Sequence, residues 1–537
     1  VKRDIESTLP SLEQTLDDLA KTERKYPDGL RIEETRKAIE ANERFAKDRQ
    51  QIDTYLGYLG SRKMFTPIYG LGNFPQGLPV CLPPYLMDLL IRTSKVLCAL
   101  ARKNLAQRGP EYLIERMPKG WLTSEMAERL HEYFLTHEPD MGFDVLVYGK
   151  NSHRGMTFDE FKKSKDMLHA KLLEAQSVDT YFGWVREFII GSRKAGLRER
   201  HQFTWCKGSN GQILADEDLY RQVVSTLNYG FENDVDKIVF LEIEPEKQAS
   251  GQNLVMMADA MCGYRTDPKL RPVILDPGDL ELRGDSLVVT KPGLEREIKK
   301  VISRIVDVDL QGFIKVRESR GEQAVVERLK RIYQQPQLFR DLSKHLAGFY
   351  LIDKSMLTDM SLLGSVSMAP KTELVSEKHM EMYRKDPELL HKIAIKPLHG
   401  MSAKGVIVGP TLEQLEQSVA QEQMLVQATM WATPILPNVK PEIQDPDVQA
   451  GICCEARLVY QAGSPAVAHQ PYEARIIAGL SRSHFQSKDA ERRIKNDSKG
   501  RGWYSNVGAI LAVKAELGLA WVDDAGIGMA PIYSCIE

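Results

Sequence analysis

The segment IAIKPLHGMSAKGVIVGP, Ile393 to Pro410, sets two short apolar runs on either side of a loop of small residues. The first run closes on Lys396 and Pro397, and the loop holds Gly400, Gly405 and a second lysine, Lys404. Two β-prone runs joined by a glycine-containing loop read as an antiparallel hairpin. A surface hairpin with solvated lysines satisfies that pattern. So does a strand that fixes a cation beside a loop open to close backbone approach, since glycine lacks the Cβ that would keep a ligand away. The remainder of the chain has to decide between them.

Upstream, the hydrophobic period changes twice. Residues 1 to about 60 place Leu9, Leu12, Leu16 and Leu19, then Ile32, Ala38, Ile39 and Phe45, at helical spacing, which predicts two or three helices. The Gly/Pro-rich stretch 65–85 is a connection, and YLMDLLIRTSKVLCALARKNL (85–105) is a buried helix. Helical pattern continues to about residue 200. From 236 the run DKIVFLEIEP, the helix NLVMMADAMCGY and the strand RPVILDPGDL form a strand–helix–strand unit of parallel type, followed by a hairpin around Gly284-Asp285. After about 340 come a helical segment ending in SMLTDMSLL and the strand APKTELVS. The helix HMEMYRKDPELLHK, the Lys396 strand, the helix GPTLEQLEQSVAQEQ and the strand MLVQATM follow. CEARLVYQAG and QPYEARIIAG pair across a Gly-Ser-Pro turn, and MAPIYSCIE is a final strand. We therefore expect an α/β (α+β) protein with a mostly helical region over 1–200, a small α/β domain over 201–340 and an antiparallel-sheet domain over 341–537.

At 537 residues two to four domains are expected. With 72 basic and 74 acidic side chains and a net charge of -2, no global field draws the chain to nucleic acid or an anionic membrane. No apolar stretch of roughly 18 residues predicts a transmembrane helix, and the opening VKRDIESTLPSLEQTLDDL is too charged for a secretory signal. Seven scattered cysteines without a CxxC pair fit a reducing cytoplasm, with neither a disulfide framework nor structural zinc.

Several motifs drop out. There is no GxxxxGK[ST] loop and no GxSxG elbow, and GLGNF (70–74) lacks the third glycine and the preceding strand of a dinucleotide fingerprint. His131 and His137 are six apart, wrong for two zinc ligands on one helix face. Cys453 and Cys454 are neighbours on a strand, so their side chains point to opposite faces and are structural. His153, His169 and His201 have no sequence-readable partner.

What survives is an order of segments that resembles the nucleotide-binding half of the ATP-grasp superfamily, which includes D-alanine–D-alanine ligase and glutathione synthetase. IDKSMLTDMSLLG followed by APKTELVS is similar to the family's entry, with Lys354 as a phosphate-binding candidate. In that frame Lys396, Gly400, Ser402, Lys404 and Gly405 form the phosphate strand and loop: a strand-fixed ammonium acts as a point charge, and small residues admit backbone N–H groups to the oxygens. MLVQATMWATPIL resembles the adenine hinge, through Val426, Gln427 and Ala428, although the acidic residue usual after the glutamine is absent. Arg457 and Arg475 resemble the arginines that meet the transferred phosphate, with Asn506 after them, and both arginines pairing with neighbouring acids on an exposed sheet is the alternative. The polar stretch SRSHFQSKDAERRIKNDSKGRG between them is a mobile loop or a solvated charge run. Asp523, Asp524 and Glu537 stand where the family carries its metal acids, but the expected x-N after the glutamate is missing. In a circularly permuted member those acids would come from the first half, for instance near FLEIEPE (240–246).

The resemblance implies an ATP- and Mg²⁺-dependent carboxylate–amine ligase that forms an amide through an acyl phosphate and releases ADP and phosphate. Its partners would be small carboxylate and amine substrates such as amino acids or peptide-like acids. A homodimer interface is one role open to the N-terminal 330 residues. The competing readings are an ATP-grasp phosphotransferase and a non-catalytic nucleotide-binding scaffold.

Overall fold

The computed structural model describes residues 10–62, 77–136, 141–153, 155–176, 182–197, 200, 203–204, 234–248, 251–262, 270–284, 286–305, 307–335, 338, 354–363, 369–398, 406–421, 424–439, 446–461, 475–485 and 528–535. Over these residues it is an α/β protein in which helices pack on four sheets. The N-terminal region is mostly helical, as its spacing predicts. Leu12–Lys25 opens on a Ser11 capping box, followed by Asp28–Lys47, Arg49–Ser61 and the long Pro84–Arg108 with proline in its first turn.

Four strands come from this first stretch: β1 (Val80–Leu82), β2 (Met141–Gly149), β3 (Leu168–Gln176) and β4 (Phe203–Thr204). The two nine-residue strands depart from the helical reading of this region. HAKLLEA is built from good helix formers, yet it pairs antiparallel with β2, and tertiary pairing overrides a propensity of tenths of a kcal/mol per residue.

The middle of the chain supplies β5 (Ile238–Leu241), β6 (Val273–Leu275), the meander β7 (Leu280–Arg283), β8 (Ser286–Val289) and β9 (Glu297–Ile298), and then β10 (Lys300–Ser303). β10, β5 and β6 are parallel in that order, so the strand–helix–strand expectation holds, and β7–β8 form the hairpin read at Gly284. The parallel sheet is buried on both faces. Ile238, Phe240 and Ile302 join the main core, whereas Val239, Leu241 and Val301 pack with Leu310, Phe313, Leu329 and Tyr333 in a second core.

Next comes a four-stranded antiparallel sheet, β11 (Thr372–Leu374), β12 (Ile393–Pro397), β13 (Ile407–Val408) and β14 (Met424–Ala428), in the order β11-β14-β12-β13. Ile393, Ile395, Met424 and Val426 lie on one face with Met380, Tyr383 and Leu415 of the helices Glu377–Lys385 and Leu412–Ala420. By strand alternation Ala394, Lys396, Leu425 and Gln427 belong to the opposite face.

The chain then returns to the first sheet with β15 (Pro434–Leu436), β16 (Ile452–Gln461), β17 (Arg475–Phe485) and β18 (Gly528–Cys535). The result is an eight-stranded sheet whose main path is β1-β18-β17-β16-β2-β3, with β15 on β16 and β4 on β18. One face carries Phe143, Val145, Val147, Cys454 and Ala456 into the helical core; the other carries Leu146 and Cys453 into a small cluster of their own. The opposite-face reading of the two cysteines therefore holds. Cys98, Cys262, Cys453 and Cys454 are buried thiols outside any disulfide, but Cys81 in β1 is disulfide-bonded, contrary to the expectation of a chain without disulfides. A pairing between distant cysteines leaves no spacing signature. No helix among the described residues is long and apolar enough to cross a membrane.

Candidate functional site

The lysine that ends the Ile-Ala-Ile run is held by its strand. β12 is flanked by β14 and β13, and Lys396 opposes Leu425, so the side chain leaves on the face turned away from the sheet's own helices. Lys354 arrives from a different segment. Its backbone N–H donates to the Leu398 carbonyl at 3.3 Å, two residues beyond Lys396. The helix that follows it, Met356–Leu362, is tied to Pro84–Arg108 through Arg108 Nη2 to Ser355 Oγ at 2.8 Å and Asn104 Nδ2 to Asp359 Oδ2 at 2.9 Å.

The two ammonium groups feel each other and two carboxylates. Burial pushes Lys396 down to about 8; Glu174 and Glu455 pull it back up, while the like charge of Lys354 lowers it further. Lys354 is buried, and its pKa too is lowered by burial and opposed by Glu174. Glu174 lies on β3 and Glu455 on β16, both strands of the large sheet. The non-helical face of that sheet therefore confronts the Lys396 face of the small one.

Register explains which carboxylates stand there. Arg457 opposes Asp144 across β16–β2, and Asp144 opposes Glu174 across β2–β3. A β-bulge beside Asp144 adds Leu173 as the extra residue of β3, which lets Glu174 face Asp144 while Leu172 faces Val145. Glu455 stands two residues before Arg457, on the same face. Arg457 is 1% exposed, and its fork is met by Asp144, Nε to Oδ1 at 2.6 Å and Nη2 to Oδ2 at 2.5 Å. A bidentate pair in a dry sheet interior fixes geometry firmly. The arginine expected on phosphate thus has its guanidinium on a carboxylate, as in the alternative reading, but in a buried sheet rather than an exposed one.

Arg475 begins β17 opposite Gln461, whereas Arg457 opposes Leu480. The two arginines are therefore about four residues apart along the ladder, roughly 13 Å at 3.3 Å per residue, and are not a facing pair. Val426 and Gln427 are paired on both sides, with Glu373 and Ile395 and with Thr372 and Ala394. Ala428 N–H donates to Lys371 O at 2.8 Å, and Gln427 Nε2 to Thr372 Oγ1 at 3.0 Å. The expected hinge strand has thus spent its backbone on the sheet. Ser481–Phe485, read as the start of a polar loop, belong to β17. Gly400, Ser402, Lys404, Gly405, Asn506, Asp523, Asp524 and Glu537 lie outside the described residues.

Sequence reasoning missed Glu174, Glu455 and Asp144. A permuted arrangement would draw its acids from the first half of the chain, and Glu174 is such an acid, though it stands on β3 rather than near 240–246. Among the described residues no three or more His, Cys, Asp or Glu gather as a metal cage. One or two carboxylates beside two lysines fit a hard ion such as Mg²⁺, which takes few protein ligands and shares phosphate oxygens and water. They do not suit zinc, which wants three or four nitrogen or sulfur donors.

No family model and no curated protein matches the chain. Solved structures do, 17 chains in all. One of them is described as a glutathione synthetase like-effector (GSS30) from Globodera pallida in apoform, with 11% sequence identity and a TM-score of 0.43, covering 81% of this chain and 94% of that one. A likeness of this size is too low for one protein's activity to speak for the other.

Proposed function

We propose that this chain is an ATP-dependent carboxylate–amine ligase of the ATP-grasp type, forming an amide through an acyl phosphate with release of ADP and phosphate. The observation that carries the reading is the convergence of Lys354 and Lys396, from separate segments, opposite Glu174 and Glu455 on a second sheet. Two partly dehydrated ammonium groups that repel each other have most to gain from a polyanion. In this reading the lysines bind and orient the triphosphate, and the two carboxylates would hold Mg²⁺, which neutralises phosphate charge when bound. Asp144 and Arg457 stiffen the strands that present those carboxylates. The closing sheets exclude water from an anhydride that water would otherwise consume.

A nucleotide-binding scaffold without turnover is favoured by one observation: the Arg457 guanidinium is engaged by Asp144. The deciding experiment supplies Mg-ATP, pooled amino acids and small carboxylates, and hydroxylamine as a surrogate amine. Hydroxamate formed in step with ADP is the expected result. Phosphorylated product without an amine requirement points to a phosphotransferase. Saturable ATP binding without ADP from any pool points to the scaffold, and no ATP binding removes the whole reading.

A further inference from the structure

The turn from β11 into the helix Glu377–Lys385 carries a chain of three side chains that the nucleotide reading does not use. Ser376 Oγ lies 2.8 Å from His379 Nδ1, and His379 Nε2 lies 2.9 Å from Glu373 Oε2. The backbone settles the tautomer. Ser376 N–H can only donate, and its acceptor is Nδ1 at 3.2 Å, so Nδ1 holds the lone pair. Nε2 then carries the proton and donates it to Glu373, whose carboxyl is held below the ordinary range chiefly by that bond. With Nδ1 bare, the Ser376 hydroxyl donates to it as well. Nucleophile, base and orienting carboxylate stand in series, the arrangement by which a serine is activated irrespective of fold.

The Ser376–His379 contact also closes a capping box at the start of the helix. Capping accounts for the His379 amide on Ser376 Oγ and the Ser376 amide on Nδ1. It does not call for Glu373, which comes from the strand and bonds the far nitrogen of the ring. His379 is buried and so held in place, while Ser376 is only half-buried and within reach of solvent. In the first turn the His379 amide is taken by Ser376, 2.9 Å from its carbonyl, and the amides of Glu377 and Lys378 are the kind of donor an oxyanion requires. Leu374, 50% exposed and two residues back along the same side of the chain, offers an apolar seat for an acyl group.

We propose that Ser376 is an activated nucleophile with His379 as its base and Glu373 as the positioning residue, a second site that accepts the acyl group of small carboxylic esters. Ser376 Oγ bonds the carbonyl carbon as its proton passes to His379 Nδ1. The ester C–O bond then breaks, and that proton leaves with the alcohol. Water, deprotonated by the same nitrogen, releases the carboxylic acid and restores the serine. No redox partner is involved.

The test uses the whole chain with p-nitrophenyl acetate and an alkyl fluorophosphonate. Two variants separate catalysis from capping: Ser376→Asn keeps an N-cap acceptor without a nucleophile, and His379→Gln keeps a capping-box partner without a base. The expected result is stoichiometric phosphonylation mapped to Ser376 in the parent protein and none in Ser376→Asn. His379→Gln should slow labelling and p-nitrophenolate release about 100-fold, with unchanged melting temperature. Imidazole ¹⁵N shifts should show the Nε2–H tautomer in the parent protein, and Glu373→Gln, which keeps the Ser376 amide on Nδ1 but loses the carboxylate's charge, should lower kcat for p-nitrophenyl acetate with KM unchanged. An unlabelled Ser376 in folded parent protein, or His379→Gln labelled at the parent rate, would overturn the proposal and leave only a helix cap.

Discussion

Lys396 titrates near 8 because burial costs its charge more than Glu174 and Glu455 return. An unfolded lysine titrates near 10.4, so between about pH 8 and 10 the folded chain binds fewer protons than the unfolded one. The cost of holding the ammonium is therefore fully present below about pH 8 and is relieved as pH rises, which favours the fold. Phosphate binding, in the function proposed, runs the other way, since it needs the charge. ATP affinity measured calorimetrically should fall roughly tenfold per pH unit above about 8, stay flat in Lys396→Arg, and be lost in Lys396→Met. Parent affinity that stays level to pH 9.5 would take Lys396 off the phosphates. Arg457 makes a second prediction. Asp144→Asn leaves a buried guanidinium without its counter-charge and should cost about 3–5 kcal/mol in urea unfolding, whereas Asp144→Leu with Arg457→Met should cost far less. The two lysines were legible because each sits in a local pattern of strand, loop and turn residues. Glu174, Glu455 and Asp144 were not, because nothing local marks them. Asp144 meets Arg457 across 313 residues of chain, and only sheet register puts them together.

Among the elements, the helix Phe182–Lys194 shows how tightly this core is set. Its first amides, Gly183 and Trp184, donate to Asn253 Oδ1 at 2.9 and 3.3 Å, so a side chain on the neighbouring helix Gly251–Met261 caps it. A Cβ on Gly183 would stand 2.4 Å from Asn253 O and 2.6 Å from Met257 N, both backbone atoms that cannot swing aside. Gly183→Ala gains about 1 kcal/mol of helix propensity, yet overpacking of this kind costs about 1–3 kcal/mol or more, so a lower melting temperature is expected. Where period and punctuation agreed, elements were legible: the N-terminal helices, the parallel strand–helix–strand unit, the Lys396 hairpin and the β16–β17 pair. β3 was not, since Leu, Ala, Glu and Lys favour helix and its strand state comes from β2 alongside. The backbone of β14 was misjudged for a related reason: a strand's neighbours, invisible locally, decide whether its amides remain available.

At the scale of the whole molecule, the large sheet draws on residues 80–204 and again on 434–535, with the parallel unit and the small sheet between them. Neither contribution buries its apolar face alone. Residues 341–537 expressed by themselves should show no cooperative unfolding transition, and co-expression with 1–340 should restore one, read by circular dichroism on heating. A sharp transition in the isolated fragment would show that the return strands need no partner. The same interleaving has a consequence on the ribosome. The β2 edge that accepts β16 is synthesised about 300 residues before its partner, and at about 5–20 residues per second it waits roughly 15–60 seconds. For that interval the nascent chain exposes Phe143, Val145 and Val147 beside an open row of amides, a surface suited to holdase chaperones and hazardous in crowded polysomes. Slower translation of the middle segment, however gentle on its own folding, should lower rather than raise the yield of native protein.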